Sequence, residues 1–318
     1  LRLLVTGGCG FIGSNFIHYM LGKYPNYQIV NLDKLTYAGN PANLKDLENN
    51  SNYSFIQGDI CDPVMVNETM KKVDQVVNFA AESHVDRSIE DGSIFVMTNV
   101  LGTNTLLQSA LANNIKKFIH ISTDEVYGSI KEGSFTEKDT LNPSNPYSSS
   151  KAGSDLLALS YYTTYGLPVC VTRCTNNFGP YQYPEKLIPF FISRLMDGKK
   201  VPVHGTGLNI RDWIYVEDHC SAIDFVLHKG TSGEIYNIDG GNELTNLEIT
   251  HLLLKILDKN ESSIEYVEDR KGNDFRYSLN GSKLEKMGWK PKYDFETTFK
   301  QTVRWYVENR WWWEPLKR

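Results

Sequence analysis

No stretch of this chain is apolar for long enough to span a bilayer, which excludes a membrane-crossing helix. No C-x-x-C occurs among its five cysteines, Cys9, Cys61, Cys170, Cys174 and Cys220. Their odd number and wide spacing fit neither a disulfide framework nor a zinc site, so reduced, mostly buried thiols are expected and no metal. Neither charge sign dominates: 33 Lys and Arg face 38 Asp and Glu, a net charge of −5. That balance argues against a nucleic-acid partner or a membrane surface. Internal repeats and low-complexity tracts are absent, and the chain opens on a strand-like run rather than a signal peptide. The missing initial Met is read as slight trimming, and a cytoplasmic enzyme is expected. What remains is 318 residues, 41% hydrophobic and 22% charged, enough for a large core and two lobes around one cleft.

Arg2-Leu3-Leu4-Val5-Thr6 reads as a strand, and a helical pattern runs from Phe16 to Leu21. Between them Gly7, Gly10 and Gly13 give G-x-x-G-x-x-G, which permits a tight turn and lets the backbone approach a pyrophosphate at a helix N-terminus. A second strand, Tyr27 to Leu32, ends in Asp33, twenty residues past Gly13, where an acid binds ribose hydroxyls and repels a 2′-phosphate. NAD is therefore favoured over NADP. A third strand spans Tyr53 to Ile60; Asp59 and Ile60 flank an adenine, or Asp59 caps the helix starting near Pro63. Gln75 to Ala81 is a fourth strand, Phe95 to Asn113 is helical by period, and Phe118 to Ile121 is a fifth strand. This alternation predicts an α/β fold with a parallel, doubly wound sheet and ligands beyond its carboxyl ends.

The segment from Phe118 to Lys151 holds most of the reactive groups. Ser122-Thr123-Asp124-Glu125 follows the fifth strand, and Tyr147 and Lys151 lie four apart, on one face of a long helix from Tyr147 to Tyr165. A lysine ammonium beside a phenol is expected to lower the phenol's pKa. Helices near 95–113 and 147–165 carry small and apolar residues on more than one face, which fits either core packing or, the reading favoured, a dimer interface. After a sixth strand, Leu167 to Arg173, the turn-rich Asn176-Asn177-Phe178-Gly179-Pro180 marks departure to a second lobe. A strand at 234–238 returns to the sheet, with helices near 187–196, 217–227, 247–257 and 297–309. The loop 269–277 is either a solvated surface or a clamp on an anion through Arg270 or Arg276. Trp311-Trp312-Trp313 is expected to pack against the body.

These features resemble the extended short-chain dehydrogenase/reductases over most of the chain, and within them the dTDP-glucose 4,6-dehydratase family. The resemblance rests on the glycine fingerprint, the Tyr147/Lys151 pair, and the segments Asp33 to Asn40, Ala80 to Ser88, Ser122 to Gly128, Pro184 to Pro189 and Arg211 to Asp218. The adjacent Asp124 and Glu125 discriminate, since related epimerases lack both acids there. Two positions depart from the family pattern. Its substrate loop reads R-P-G-H-D where this chain has Arg270-Lys271-Gly272-Asn273-Asp274, and His204 stands where a Tyr is usual.

The resemblance implies a Rossmann-type NAD domain at 1–178 and 214–240 and a smaller mixed α/β substrate lobe at 179–213 and 241–318. It implies conversion of dTDP-glucose to its 4-keto-6-deoxy product plus water, with NAD reduced and reoxidised in one turnover, in deoxysugar biosynthesis of the dTDP-rhamnose type, by a homodimer. Tyr147 then takes the C4 hydroxyl proton with Lys151 supporting it, Thr123 orients the C4 oxygen, Glu125 removes the C5 proton and Asp124 protonates the departing C6 hydroxyl. NAD contacts are expected from Gly7, Gly10, Phe11, Ile12, Gly13, Asp33, Lys34, Leu35, Thr36, Asp59, Ile60, Phe79, Ala80, Ala81, Ser83, Thr98, Ser122, Tyr147, Lys151 and Asn177, the last on either cofactor or substrate phosphates. Substrate contacts are expected from Ser83, His84, Thr123, Asn176, Lys186, Leu187, Pro202, His204, Arg211, Asn246, Asn273, Asp274 and Tyr277. Lys186 and Arg211 supply the cations a nucleoside diphosphate needs. The competing readings are an NAD-dependent epimerase or decarboxylase of nucleotide sugars and a non-catalytic NAD-binding regulator.

Overall fold

The computed structural model describes residues 1–269 and 274–317. Seven parallel strands form the main sheet: β1 (Arg2–Thr6), β2 (Gln28–Asp33), β3 (Tyr53–Gln57), β4 (Gln75–Asn78), β5 (Lys117–Thr123), β6 (Val169–Cys174) and β7 (Ile235–Ile238). Their spatial order is β7-β6-β5-β4-β1-β2-β3. The chain starts in the middle, winds out to one edge, then returns and winds to the other, which leaves a crevice beside the carboxyl end of β1.

Side-chain alternation along the strands explains why both faces are covered. Leu3 and Val5 point to one side, where they pack with Phe16, Ile17 and Met20 of helix Phe11–Lys23 and with Ile223, Val226 and Leu227 of helix Val216–Lys229. Leu4 points to the other, against Val66 and Met70, Leu106 and Leu107, and Ala158 and Tyr161, from three further helices. Each such fully buried side chain contributes about 1.5–3 kcal/mol.

A separate hydrophobic core is made by Phe178, Ile192, Trp213, Leu253, Phe299 and the buried Trp312 and Trp313. Departure from the main sheet comes early: Asn176–Phe178 already pairs with Ile210–Tyr215 in a three-stranded sheet completed by Glu243–Thr245. A two-stranded sheet joins Val201–His204 to Ile264–Val267. The helix expected over 95–113 is present but not regular, because Val96–Gly102 winds as a π-helix before Thr103–Ala112 resumes the α form. Four of the five cysteines are buried and all five are free. Among the described residues, no helix is long and apolar enough to cross a membrane.

Candidate active site

A cavity of about 360 Å³ runs along the carboxyl ends of β1, β2, β4, β5 and β6. At one end the glycine loop enters helix Phe11–Lys23, whose N-terminus has no side-chain cap and no acid in its first turn. Phe11, Ile12 and Gly13 line the cavity there, so the unpaired first-turn amides face an anion site. Gly7 has φ +68°, and a Cβ on it would lie 2.7 Å from the amide nitrogen of Ala80. A Cβ on Gly13 would meet the Gly7 carbonyl. This cradle fits the pyrophosphate of a dinucleotide and admits no larger residue at either point.

Asp33 also lines the cavity, and its carboxylate accepts hydrogen bonds from the amides of Cys9 and Leu35, both at 2.8 Å. It therefore braces two loops. Asp59 pairs with Lys34 at 2.7 Å, and the helix at Pro63 is capped by Asp62 instead, whose side chain accepts from Val64 and Met65. Two loops and helix Val85–Glu90 meet over this end. Tyr37 donates to Glu185 at 2.9 Å, Arg87 donates to the same carboxylate at 3.2 Å, and the Arg87 guanidinium lies 3.6 Å from the centre of the Tyr37 ring.

At the other end stand the groups with reactive chemistry. Helix Pro146–Tyr165 is fixed at its start by a capping box: Asn145 accepts from the Ser148 amide at 2.9 Å, and Ser148 Oγ accepts from the Asn145 amide at 3.2 Å. Pro146 occupies the first helical position, where its missing N–H costs nothing. The cap sets Tyr147 and, one turn on, Lys151 into the cavity wall, both buried. Lys151 Nζ donates to the Ile121 carbonyl at 2.6 Å, tying the helix to β5. Asn145 also opposes the rise of the Glu125 carboxyl. Asn145→Ala is expected to destabilise the chain by about 1 kcal/mol in urea unfolding, with a fall in turnover larger than that loss explains.

Lys151 alone does not bring the phenol down. Burial first, and then the neighbouring Glu125, push the Tyr147 hydroxyl well above its usual range. Burial in turn lowers Lys151. One lysine does not offset burial in so dry a site.

Thr123 ends β5 and caps the short turn Asp124–Tyr127. Its hydroxyl accepts from the Glu125 amide at 3.3 Å and donates to Asp124 Oδ1 at 3.0 Å. Asp124 is 3% exposed and its Oδ2 is buried with no hydrogen-bond partner. Burial first, and then the neighbouring Glu125, push this carboxyl up to about 8. Burial also raises Glu125, opposed by the cations of Lys186 and Arg211. Burial and the neighbouring acid thus favour a protonated Asp124, while the cations oppose the rise of Glu125.

Of the residues expected from sequence, most meet in this one cavity: the five reactive groups Thr123, Asp124, Glu125, Tyr147 and Lys151, and around them Thr36, Ile60, Phe79, Ala80, Ala81, Ser83, Thr98, Ser122, Asn176, Asn177, Lys186 and Leu187. Others do not line it. Leu35 braces Asp33, and His84 caps helix Val85–Glu90. Pro202 and His204 sit in the two-stranded sheet, and Asn246 opens helix Asn246–Ile256. Arg211, Asp274 and Tyr277 form their own cluster. Arg211 lies 4.4 Å from the Tyr277 ring centre and donates to the Asp274 carbonyl at 3.0 Å, and Tyr277 donates to the Asp274 carboxylate at 2.6 Å. Its field reaches the acid pair. Asn273, like Arg270, lies outside the described residues. Sequence reasoning missed Glu82, Cys174, Gln182, Tyr183, Glu185 and Trp213 in the wall. Glu82, Glu185 and Trp213 carried a signal, inside the Ala80 to Ser88, Pro184 to Pro189 and Arg211 to Asp218 motifs.

Known proteins align with this arrangement throughout. The family model described as GDP-mannose 4,6 dehydratase matches residues 4–302. A dTDP-glucose 4,6-dehydratase of Streptomyces antibioticus is 50% identical over 324 aligned positions, covering 100% of this chain and 96% of that one. The crystal structure of DesIV, a dTDP-glucose 4,6-dehydratase of Streptomyces venezuelae with NAD bound, superposes with a TM-score of 0.98 at 53% identity, covering 100% of both chains. A UDP-glucose 4-epimerase of Thermus thermophilus, also in complex with NAD, shares the fold with a TM-score of 0.90 but only 28% identity, covering 97% of this chain and 100% of that one. Identity separates the two activities where fold does not. By half-identity along its entire length, this chain belongs to the dTDP-glucose 4,6-dehydratase family of the extended short-chain dehydrogenase/reductases.

Proposed function

We propose that this chain converts dTDP-α-D-glucose to dTDP-4-keto-6-deoxy-α-D-glucose and water, acting as a hydro-lyase with NAD as a bound catalyst. The observation that carries this reading is the buried Asp124, whose Oδ2 has no hydrogen-bond partner, beside Glu125 at the end of the strand that Lys151 grips. Elimination of water needs a proton donor and a base at adjacent carbons, and this pair offers both.

NAD, when bound, accepts the hydride from C4, returns it to C6, and brings a cationic ring that favours a phenolate. Gly7, Gly10, Gly13 and the first turn of helix Phe11–Lys23 would hold its pyrophosphate, and Asp33 its ribose. Tyr147, as a phenolate stabilised by the Lys151 ammonium, accepts the C4 hydroxyl proton and becomes the neutral phenol. Thr123 hydrogen-bonds the C4 oxygen. Once C4 is a ketone, C5 is acidic and Glu125 removes its proton. Asp124 gives its proton to the C6 hydroxyl, which leaves as water, and Glu125 returns a proton to C5 as C6 is reduced. Lys186 and Arg211 supply positive charge for the diphosphate, with Asn176, Asn246, His204 and Tyr277 further along the nucleotide.

The two-lobe division at 1–178 with 214–240 and 179–213 with 241–318 belongs to this proposal, as does a cytoplasmic setting. So does a homodimer through the helices near 95–113 and 147–165. Val96, Met97, Leu101, Leu156 and Tyr165 there are 55%, 51%, 42%, 59% and 59% exposed, an apolar stripe that a second copy would cover. Incubation with dTDP-glucose is expected to give the alkaline absorbance of a 4-keto sugar, faster than with UDP- or CDP-glucose. Turnover of a UDP-sugar with no 4-keto product would overturn the assignment.

A further inference from the structure

Behind the reactive helix, outside the cavity wall, Arg173, Asp155 and His120 are buried together at 2%, 0% and 1% exposure. Arg173 Nε donates to Asp155 Oδ2 at 2.9 Å, and Arg173 Nη1 donates to the Tyr127 hydroxyl at 2.7 Å. The guanidinium lies 4.7 Å from the centre of the Tyr127 ring. Tyr127 donates onward to Asn237 Oδ1 of β7 at 2.9 Å. His120 Nε2 stands 3.5 Å from the second oxygen of Asp155 and 3.0 Å from Ser154 Oγ.

The ends of this chain of contacts are not arbitrary. Asp155 follows Tyr147 and Lys151 at four-residue steps along the same helix, which places all three on one side of it. Tyr127 closes the turn that carries Asp124 and Glu125. Arg173 sits on β6 directly across from Ser122 of β5, between the two. Apolar residues of the same volume would fill this space at less desolvation cost, since buried ions recover that cost only through good geometry. What an ionic, hydrogen-bonded cluster adds is direction: it fixes angles and distances that oily packing leaves loose.

We propose that Arg173 is a positioning residue that holds the helix bearing Tyr147 and Lys151 in register with the turn bearing Asp124 and Glu125. This rests on the function proposed above, in which one substrate must meet both groups without leaving. Arg173 touches neither substrate nor cofactor. It acts through Asp155 on one side and Tyr127 on the other, so the two connections can be cut separately. Tyr127→Phe keeps the ring and frees the turn; Asp155→Asn keeps the shape and frees the helix.

The test measures kcat with dTDP-glucose deuterated at C4 and, separately, at C5. In Tyr127→Phe, loss of water becomes the slow step. Turnover is expected to fall about tenfold or more, with the C5 isotope effect rising and the C4 effect falling toward unity. In Asp155→Asn the hydride end is misplaced, and the split reverses, with the C4 effect rising. Each variant carries its own predicted direction, so either one alone tests the proposal if the other fails to fold. Isotope effects equal to those of the unmodified chain, with only a lower yield of active protein, would mean that Arg173 merely stabilises the fold and would overturn the proposal. A shift in the same direction in both variants would overturn it too. An unmodified chain that does not turn over dTDP-glucose would sink the function assignment instead, a separate outcome.

Discussion

Asp124→Asn is expected to lower turnover of dTDP-glucose by about 10²–10⁴-fold, the usual worth of a positioned proton donor. The amide fills the same space but has no proton to give to the C6 hydroxyl. C4 oxidation and C5 proton abstraction do not need that proton, so dTDP-glucose recovered from D₂O carries deuterium at C5 although little product forms. Recovered substrate without deuterium would show that Asp124 acts earlier than assigned. The pH dependence has a definite sign. Turnover of the unmodified chain falls as pH rises through about 8, where Asp124 loses its proton, and the variant lacks that alkaline limb.

Stability moves the opposite way. A carboxyl raised from its ordinary 3.8 to about 8 favours folding while it is protonated. That contribution is complete below the unfolded pKa and is lost as pH climbs to the folded one. The amide never ionises. Asp124→Asn is therefore expected to unfold at higher denaturant than the unmodified chain at pH 9, by about 1–3 kcal/mol, with the gap closing toward pH 4. A gap independent of pH would contradict the burial argument.

Tyr147→Phe is expected to cost a similar factor, about 10²–10⁴-fold in kcat, but at the other end of the reaction. Without the phenol the C4 hydroxyl keeps its proton, no ketone forms, and C5 never becomes acidic. Substrate recovered from D₂O should then carry no deuterium. That contrast with Asp124→Asn separates hydride chemistry from elimination with one solvent and one spectrum. The ring is buried and the hydroxyl is all that is removed, so unfolding should change by no more than about 1 kcal/mol. Full turnover in this variant would remove Tyr147 from its role.

Much of this site can be read from sequence because its parts are local. A glycine loop, an acid at the end of the next strand, Thr123-Asp124-Glu125, and Tyr147 with Lys151 are each short patterns whose spacing is set by a turn, a strand or one helical turn. The seven strands were legible for the same reason. What could not be read is whatever depends on the assembled fold. The π turn at Val96–Gly102 brings Thr98 to the cavity although nothing in its composition departs from an α-helix. The Tyr37, Arg87 and Glu185 contact joins two loops and a helix far apart in the chain. The upward shift of Tyr147 depends on how dry the finished site is, a property no pair spacing reports. His204 and Pro202 fall away from the cavity because their strand pairs with Ile264–Val267, a partner too short and mixed to announce itself.

The three consecutive tryptophans end in a division of labour: Trp311 is 63% exposed, while Trp312 and Trp313 are buried. Trp312 Nε1 donates to Asn43 Oδ1 at 2.7 Å across 269 residues, and Asn43 Nδ2 donates to the Cys9 carbonyl at 3.0 Å, inside the glycine loop. The glycine loop is therefore braced by residues made far later in the chain. During synthesis the N-terminal strands emerge early, yet the phosphate cradle lacks this brace until the ribosome has delivered residue 312. A nascent or prematurely terminated chain would hold its glycine loop without that support, and so would be poorly prepared to take a dinucleotide.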